Sequence, residues 1–142
     1  MGRSYWFECP QCGYSVKVCG GADRGLDVFV QTINCRDCRE LYDAVTRVRV
    51  PDEAEGGVGR KAWGWPRPKA RGWPRGFNGP PSLQWVLGRL PYSGVRRFKW
   101  LHFKPQCPVS PVHSVQGWKE PGKCPKCGIV LEKNAVPYRI WE

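Results

Sequence analysis

Cys9-Pro10-Gln11-Cys12-Gly13 and Cys35-Arg36-Asp37-Cys38 decide how this chain is read. Each is a Cys-x2-Cys turn, which aims two sulfurs at one point while the following backbone amides face those sulfurs. A gap of 22 residues, positions 13–34, separates the two turns. Together they offer four thiolates to one tetrahedral ion, a donor set that suits zinc. Gly13 follows the first pair, where the backbone often needs a positive φ. The competing readings are two disulfides or four packed thiols. Residues 1–20 contain no apolar core of a signal peptide, and no stretch approaches the ~20 apolar residues of a membrane helix. The expectation is therefore a cytoplasmic, reducing setting, where clustered thiols bind metal more often than they pair.

A second constellation lies near the other end. Cys124-Pro125-Lys126-Cys127-Gly128 is a clear knuckle, but its partner half, Cys107-Pro108-Val109-Ser110, has a single cysteine. Neutral imidazole is an equally good ligand. His102 lies five residues before Cys107 and His113 six after it. His113 is the favoured fourth ligand because its loop, SPVHSVQGW, runs toward the second knuckle. His102 sits in the strand-like run FKWLHFK and reads as a partly exposed side chain on an amphipathic strand. The expected metal ligands are thus Cys9, Cys12, Cys35 and Cys38 for one zinc, and Cys107, His113, Cys124 and Cys127 for a second. Cys19, the remaining thiol, reads as a small buried hydrophobe.

The first pair of turns resembles those of zinc-ribbon proteins, with Cys9-Pro-Gln-Cys-Gly as one knuckle and Cys35-Arg-Asp-Cys as the other. The resemblance covers about residues 5–50 and implies a three-stranded antiparallel sheet beneath the metal. The same knuckles resemble rubredoxins, which hold iron for electron transfer. The second knuckle has Arg36, Asp37 and Arg39 where that family carries Pro and Gly.

Strand patterns agree with a β-rich fold. Tyr14, Val16 and Val18 alternate with polar residues, Leu26 to Ile33 is rich in β-branched side chains, and Val48 and Val50 alternate before Pro51. Glu40 to Asp43 reads as a helical turn and Ser82 to Leu90 as a short helix capped by Ser82. Gly128 to Lys133 and Val136 to Trp141 read as a hairpin around Asn134-Ala135, with Trp118 and Trp141 covering the core. Gly and Pro occupy 31 positions (17 + 14) of 142, too many breakers for one continuous helical core. A small module with a poor core needs a staple, and eight cysteines supply one.

The formal charge of +11 is unevenly placed. Residues 1–55 carry seven basic and nine acidic side chains, whereas residues 56–119 carry twelve basic and no acidic ones. Within that segment Arg60, Lys61, Arg67, Lys69, Arg71 and Arg75 interleave with Trp63, Trp65 and Trp73. Cations attract phosphates and flat rings stack on unpaired bases, so this composition suits RNA or single-stranded DNA. The alternative is that the rings pack over the metal modules or dock on a protein partner.

The resulting expectation is a small β-rich, metal-stabilised chain. Residues 1–52 form a four-cysteine zinc ribbon, residues 53–100 a basic Trp/Pro/Gly-rich arm, and residues 101–142 a zinc-ribbon-like module with three cysteines and one histidine. No nucleophile elbow, phosphate loop or dinucleotide fingerprint is present. Four-ligand sites leave no open position for catalytic water. The function expected is non-enzymatic nucleic-acid binding, with a protein-interaction adaptor and a rubredoxin-like electron carrier as alternatives, and no membrane partner.

Overall fold

The computed structural model describes residues 2–51, 83–87 and 98–141. The expected nucleic-acid contacts from Arg60 to Arg75, and Ser82, lie outside these residues.

Two antiparallel sheets carry the fold. The first is built on β1 (Gly2–Glu8), which pairs with β2 (Ser15–Val18) on one side. On its other side β1 pairs with both β8 (Glu132–Lys133) and β9 (Arg139–Trp141). The second runs β3 (Ala22–Arg24), β4 (Val28–Cys35), β5 (Glu40–Pro51), β6 (Phe98–His102), with β7 (Val115–Gly117) also on β4. The only helix among the described residues is α1, Leu83–Leu87, which buries Val86.

The alternation in β4 explains its place. Val28, Val30 and Thr32 are buried on one face while Phe29 and Gln31 are only partly covered. β5 answers with Val45, Val48 and Val50. Val45 and Val48 are three apart, which strict alternation would place on opposite faces. A bulge between Phe29 and Val30 in the β4–β5 register leaves Thr46 as the extra residue, so both valines face inward. Val28, Val30, Val45, Val48, Val50, Val86, Cys19 and Trp141 form one apolar cluster. A second gathers Phe7, Tyr14, Val18, Leu41, Trp118 and Leu131 around Cys9 and Cys124. Trp118 and Trp141 are both buried, as core cover should be.

Three local expectations change. Glu40 to Asp43 is not a helical turn but the start of β5, because Cys35↔Glu40 through Thr32↔Asp43 continue the ladder across the knuckle. Ala22–Arg24, outside the strand patterns of the sequence, forms β3 against Phe29–Gln31. The C-terminal segments do not pair with each other; both add to β1, through Phe7↔Lys133 and Arg3↔Ile140. Each sheet therefore contains strands from both ends of the chain, and the division into one self-contained module per end does not describe the pairing.

Candidate metal centres

The first site is built from two matching turns. After β1 the chain reverses through Cys9–Gly13: the Gly13 amide donates to the Cys9 carbonyl at 3.1 Å, and the Cys9 amide donates to the Tyr14 carbonyl at 2.8 Å. The turn at Cys124 repeats this, Gly128 amide to Cys124 carbonyl at 3.0 Å and Cys124 amide to Ile129 carbonyl at 2.6 Å. Gly13 (φ 70°) and Gly128 (φ 82°) both take the left-handed conformation that such a reversal requires. The two turns face each other, with Cys9 Sγ 3.3 Å from Cys127 Sγ and Cys12 Sγ 3.7 Å from Cys124 Sγ. All four sulfurs lie within 4.8 Å of one another.

The second site joins Cys35, Cys38, Cys107 and His113, again with every ligand atom within 4.8 Å of the others. Cys35 ends β4 and Cys38 precedes β5, so the hairpin itself presents both sulfurs. The His113 amide donates to the Ser110 carbonyl at 3.3 Å, a turn that returns the imidazole toward Cys107. Its Nδ1 is 3.3 Å from Cys38 Sγ and 3.7 Å from Cys35 Sγ, while Cys38 and Cys107 sulfurs are 3.6 Å apart. The loops are clamped outside the site as well. Arg36 N–H donates to the Ser114 carbonyl at 3.0 Å, and Ser114 N–H to the Asp37 carboxylate at 2.7 Å.

The eight residues that could hold metal are the eight named from the sequence, but they group differently. Cys9 and Cys12 share a site with Cys124 and Cys127, not with Cys35 and Cys38. The reason is strand pairing: β8 and β9 lie on β1 and bring the C-terminal knuckle over the N-terminal one, while β7 on β4 carries the His113 loop to Cys35. The sequence held a signal for this. Two knuckles with the same Cys-Pro-x-Cys-Gly form face each other, and the two departures from that form make up the other site. His102 is not a ligand; it is exposed on β6, opposite Arg47.

No disulfide joins any of the eight cysteines. The closest sulfur pairs, 3.3, 3.7 and 3.6 Å apart, lie near the separation of about 3.8 Å between thiolates bound to a tetrahedral ion at ~2.3 Å. One thiol in each set is prepared to ionise. Amide hydrogen bonds from Cys12 and Gln11 bring Cys9 down to about 6, against the opposing effect of burial. At Cys107 burial raises the pKa, but the Ser110 and Val109 amides and His113 outweigh it, leaving about 7. Cys127 benefits from the Ile129 amide, yet its hydrogen bonds to Cys9 and the other thiols hold it up to about 12. Four crowded thiols cannot all ionise without a cation among them. Cys19 is different: burial, then the Asp43 carboxylate, push its thiol far above the usual range, which makes it a poor nucleophile.

No protein-family model, curated protein or solved structure matches the chain. The likeness to zinc ribbons therefore rests on the knuckles and their geometry. Among the described residues no helix is long and apolar enough to cross a membrane.

Proposed function

We propose that this chain is a non-enzymatic protein held together by two structural zinc ions and that it contacts nucleic acid. The observation that carries the zinc reading is the pair of closed four-ligand sets, one of four cysteines and one of three cysteines and a histidine, each gathered from both ends of the chain. Thiolate-rich tetrahedral sets favour zinc or iron, and neither set keeps an open position for substrate. Zinc binding would then be folding energy, since the two apolar clusters that join the sheets are both small. Elemental analysis of protein purified without added metal tests this. A colourless protein with two zinc ions per chain supports the reading; a red iron form with a reversible redox couple would replace it with electron transfer.

The nucleic-acid half rests on charge. Twelve basic and no acidic side chains fall between residues 56 and 119, where a surface kept merely soluble would mix signs. Arg67, Lys69, Arg71 and Arg75 would contact phosphate, with Trp63, Trp65 and Trp73 stacking on bases. Neutralising those four cations should flatten the salt dependence of binding, by about 0.7 for each phosphate on a single strand that is no longer neutralised. An unchanged slope would favour the adaptor reading, in which the Trp/Pro arm engages a protein.

A further inference from the structure

The outer face of the second sheet has a composition that the metal centres do not use. The Thr46 bulge turns Val48 and Val50 inward and leaves Arg47 and Arg49 on the opposite face, alongside Phe29. Register then places Arg24, Phe29, Arg47 and His102 in one row across four strands, and Arg49 beside Trp100 in the next. The Phe29 and Trp100 rings meet edge to face with centroids 5.2 Å apart. The Arg47 guanidinium lies 5.5 Å from the Phe29 ring, and that of Arg49 3.9 Å from the Phe98 ring. Trp100 remains 40% exposed, although an indole of this size is ordinarily covered. Among the described residues the Asp27 carboxylate pairs with Arg49 at 3.3 Å. Arg24 and Arg47 both stay exposed.

We propose that this face is a stacking platform for single-stranded nucleic acid, an inference that rests on the nucleic-acid reading above and locates it on the sheet. A sheet presenting rings from β4 and β6 offers unstacked bases a surface to stack on, while the guanidiniums of β5 between those strands meet the linking phosphates. Duplex DNA fits poorly: the sheet face offers it phosphate contacts but no element to read a groove, and α1 is five residues long. The row Arg24–Phe29–Arg47–His102 adds positive charge with no carboxylate of its own, complementary to a polyanion and not to another copy of this basic chain.

The test is fluorescence anisotropy with fluorescein-labelled dT20 and a 20-bp duplex, on zinc-loaded full-length protein. Wild type should bind dT20 more tightly than the duplex. Trp100→Ala should weaken dT20 binding roughly tenfold, and Trp100→Phe, which keeps a ring, should restore most of it. Arg24→Gln with Arg47→Gln, both at exposed positions, should lower the salt slope by about 1.4. Should Trp100→Ala lose its zinc or its fold, the arginine pair decides. Wild-type binding that survives both sets of changes with the same affinity and slope overturns the platform and leaves the arm as the contact. Equal affinity for the duplex overturns single-strand stacking. No binding of wild type to either probe overturns the nucleic-acid reading itself.

Discussion

Cys9 and Cys127 lie with their sulfurs 3.3 Å apart although 118 positions separate them in the chain. That proximity fixes which cysteines lose an ion together. Cys12→Ser with Cys127→Ser removes two ligands from one site and should leave one zinc per chain. Cys38→Ser with His113→Ala should do the same at the other. Cys12→Ser with Cys38→Ser touches both sites and should reduce the content below one. If metal analysis finds one full zinc in the crossed variant instead, Cys9, Cys12, Cys35 and Cys38 share an ion and the grouping is wrong.

Arg39 occupies the place in its knuckle that Gly13 and Gly128 hold in theirs, and takes φ 53°. A Cβ in the left-handed region costs energy that glycine avoids, partly offset by glycine's greater freedom when unfolded. Arg39→Gly should therefore stabilise the zinc-loaded protein by up to about 1 kcal/mol. A rise in the denaturation midpoint of the holo form is the readout, and a fall would show that the arginine side chain supplies more than its backbone strain removes.

Asp43 sits beneath the Cys19–Gly21 corner. Its two oxygens each accept from the Cys19 amide at 3.0 Å, and one also accepts the Thr32 hydroxyl at 2.8 Å. Burial raises its pKa above the ordinary 3.8, with the amide and hydroxyl donors only partly compensating. The folded state thus holds its proton to higher pH than the unfolded chain does. The sign follows: this group's stabilising contribution is complete below 3.8 and is lost as pH rises through the folded-state value. Asp43→Asn should lose less stability than wild type as pH climbs from 4 toward neutrality, a difference of about 1.4 kcal/mol for each pH unit by which folding displaces the carboxyl's titration. Thiol titration at the metal sites acts on both proteins alike, so the difference between their stability curves isolates the carboxyl. Parallel curves would refute the assignment.

Gly122 packs its Cα against the Trp118 indole, whose Nε1 donates to the Lys123 carbonyl at 3.0 Å. A methyl group at position 122 would meet the ring directly. Gly122→Ala should cost about 1–3 kcal/mol through overpacking and should weaken zinc retention at the adjacent Cys124. Calorimetry of the holo protein, with competition by a chelator, measures both. Unchanged stability would mean that Trp118 can move aside without disturbing the knuckle.

The strands and the ligands were readable for different reasons than their partners. Val28–Cys35 announces itself by β-branched alternation, and each Cys-x2-Cys by spacing, because both are local properties. Which knuckle meets which depends on β8 and β9 choosing β1, and those strands are two and three residues long, with almost no pattern of their own. Glu40–Asp43 misled because Glu-Leu-Tyr-Asp has no strand alternation by itself; the ladder from Cys35 imposes it. Ser110 was informative in the right direction, since the missing thiol pointed to an imidazole nearby, and His113 is where the turn delivers it.

The crossed arrangement has an implication for biosynthesis. Cys9, Cys12, Cys35 and Cys38 leave the ribosome first, yet neither native ligand set is complete at that stage: one must await His113 and the other Cys127. Four early thiols in two Cys-x2-Cys turns are themselves competent to seize an ion. A native set can therefore be filled only once its last ligand has emerged, and an ion taken up earlier by the four N-terminal thiols would have to be released first.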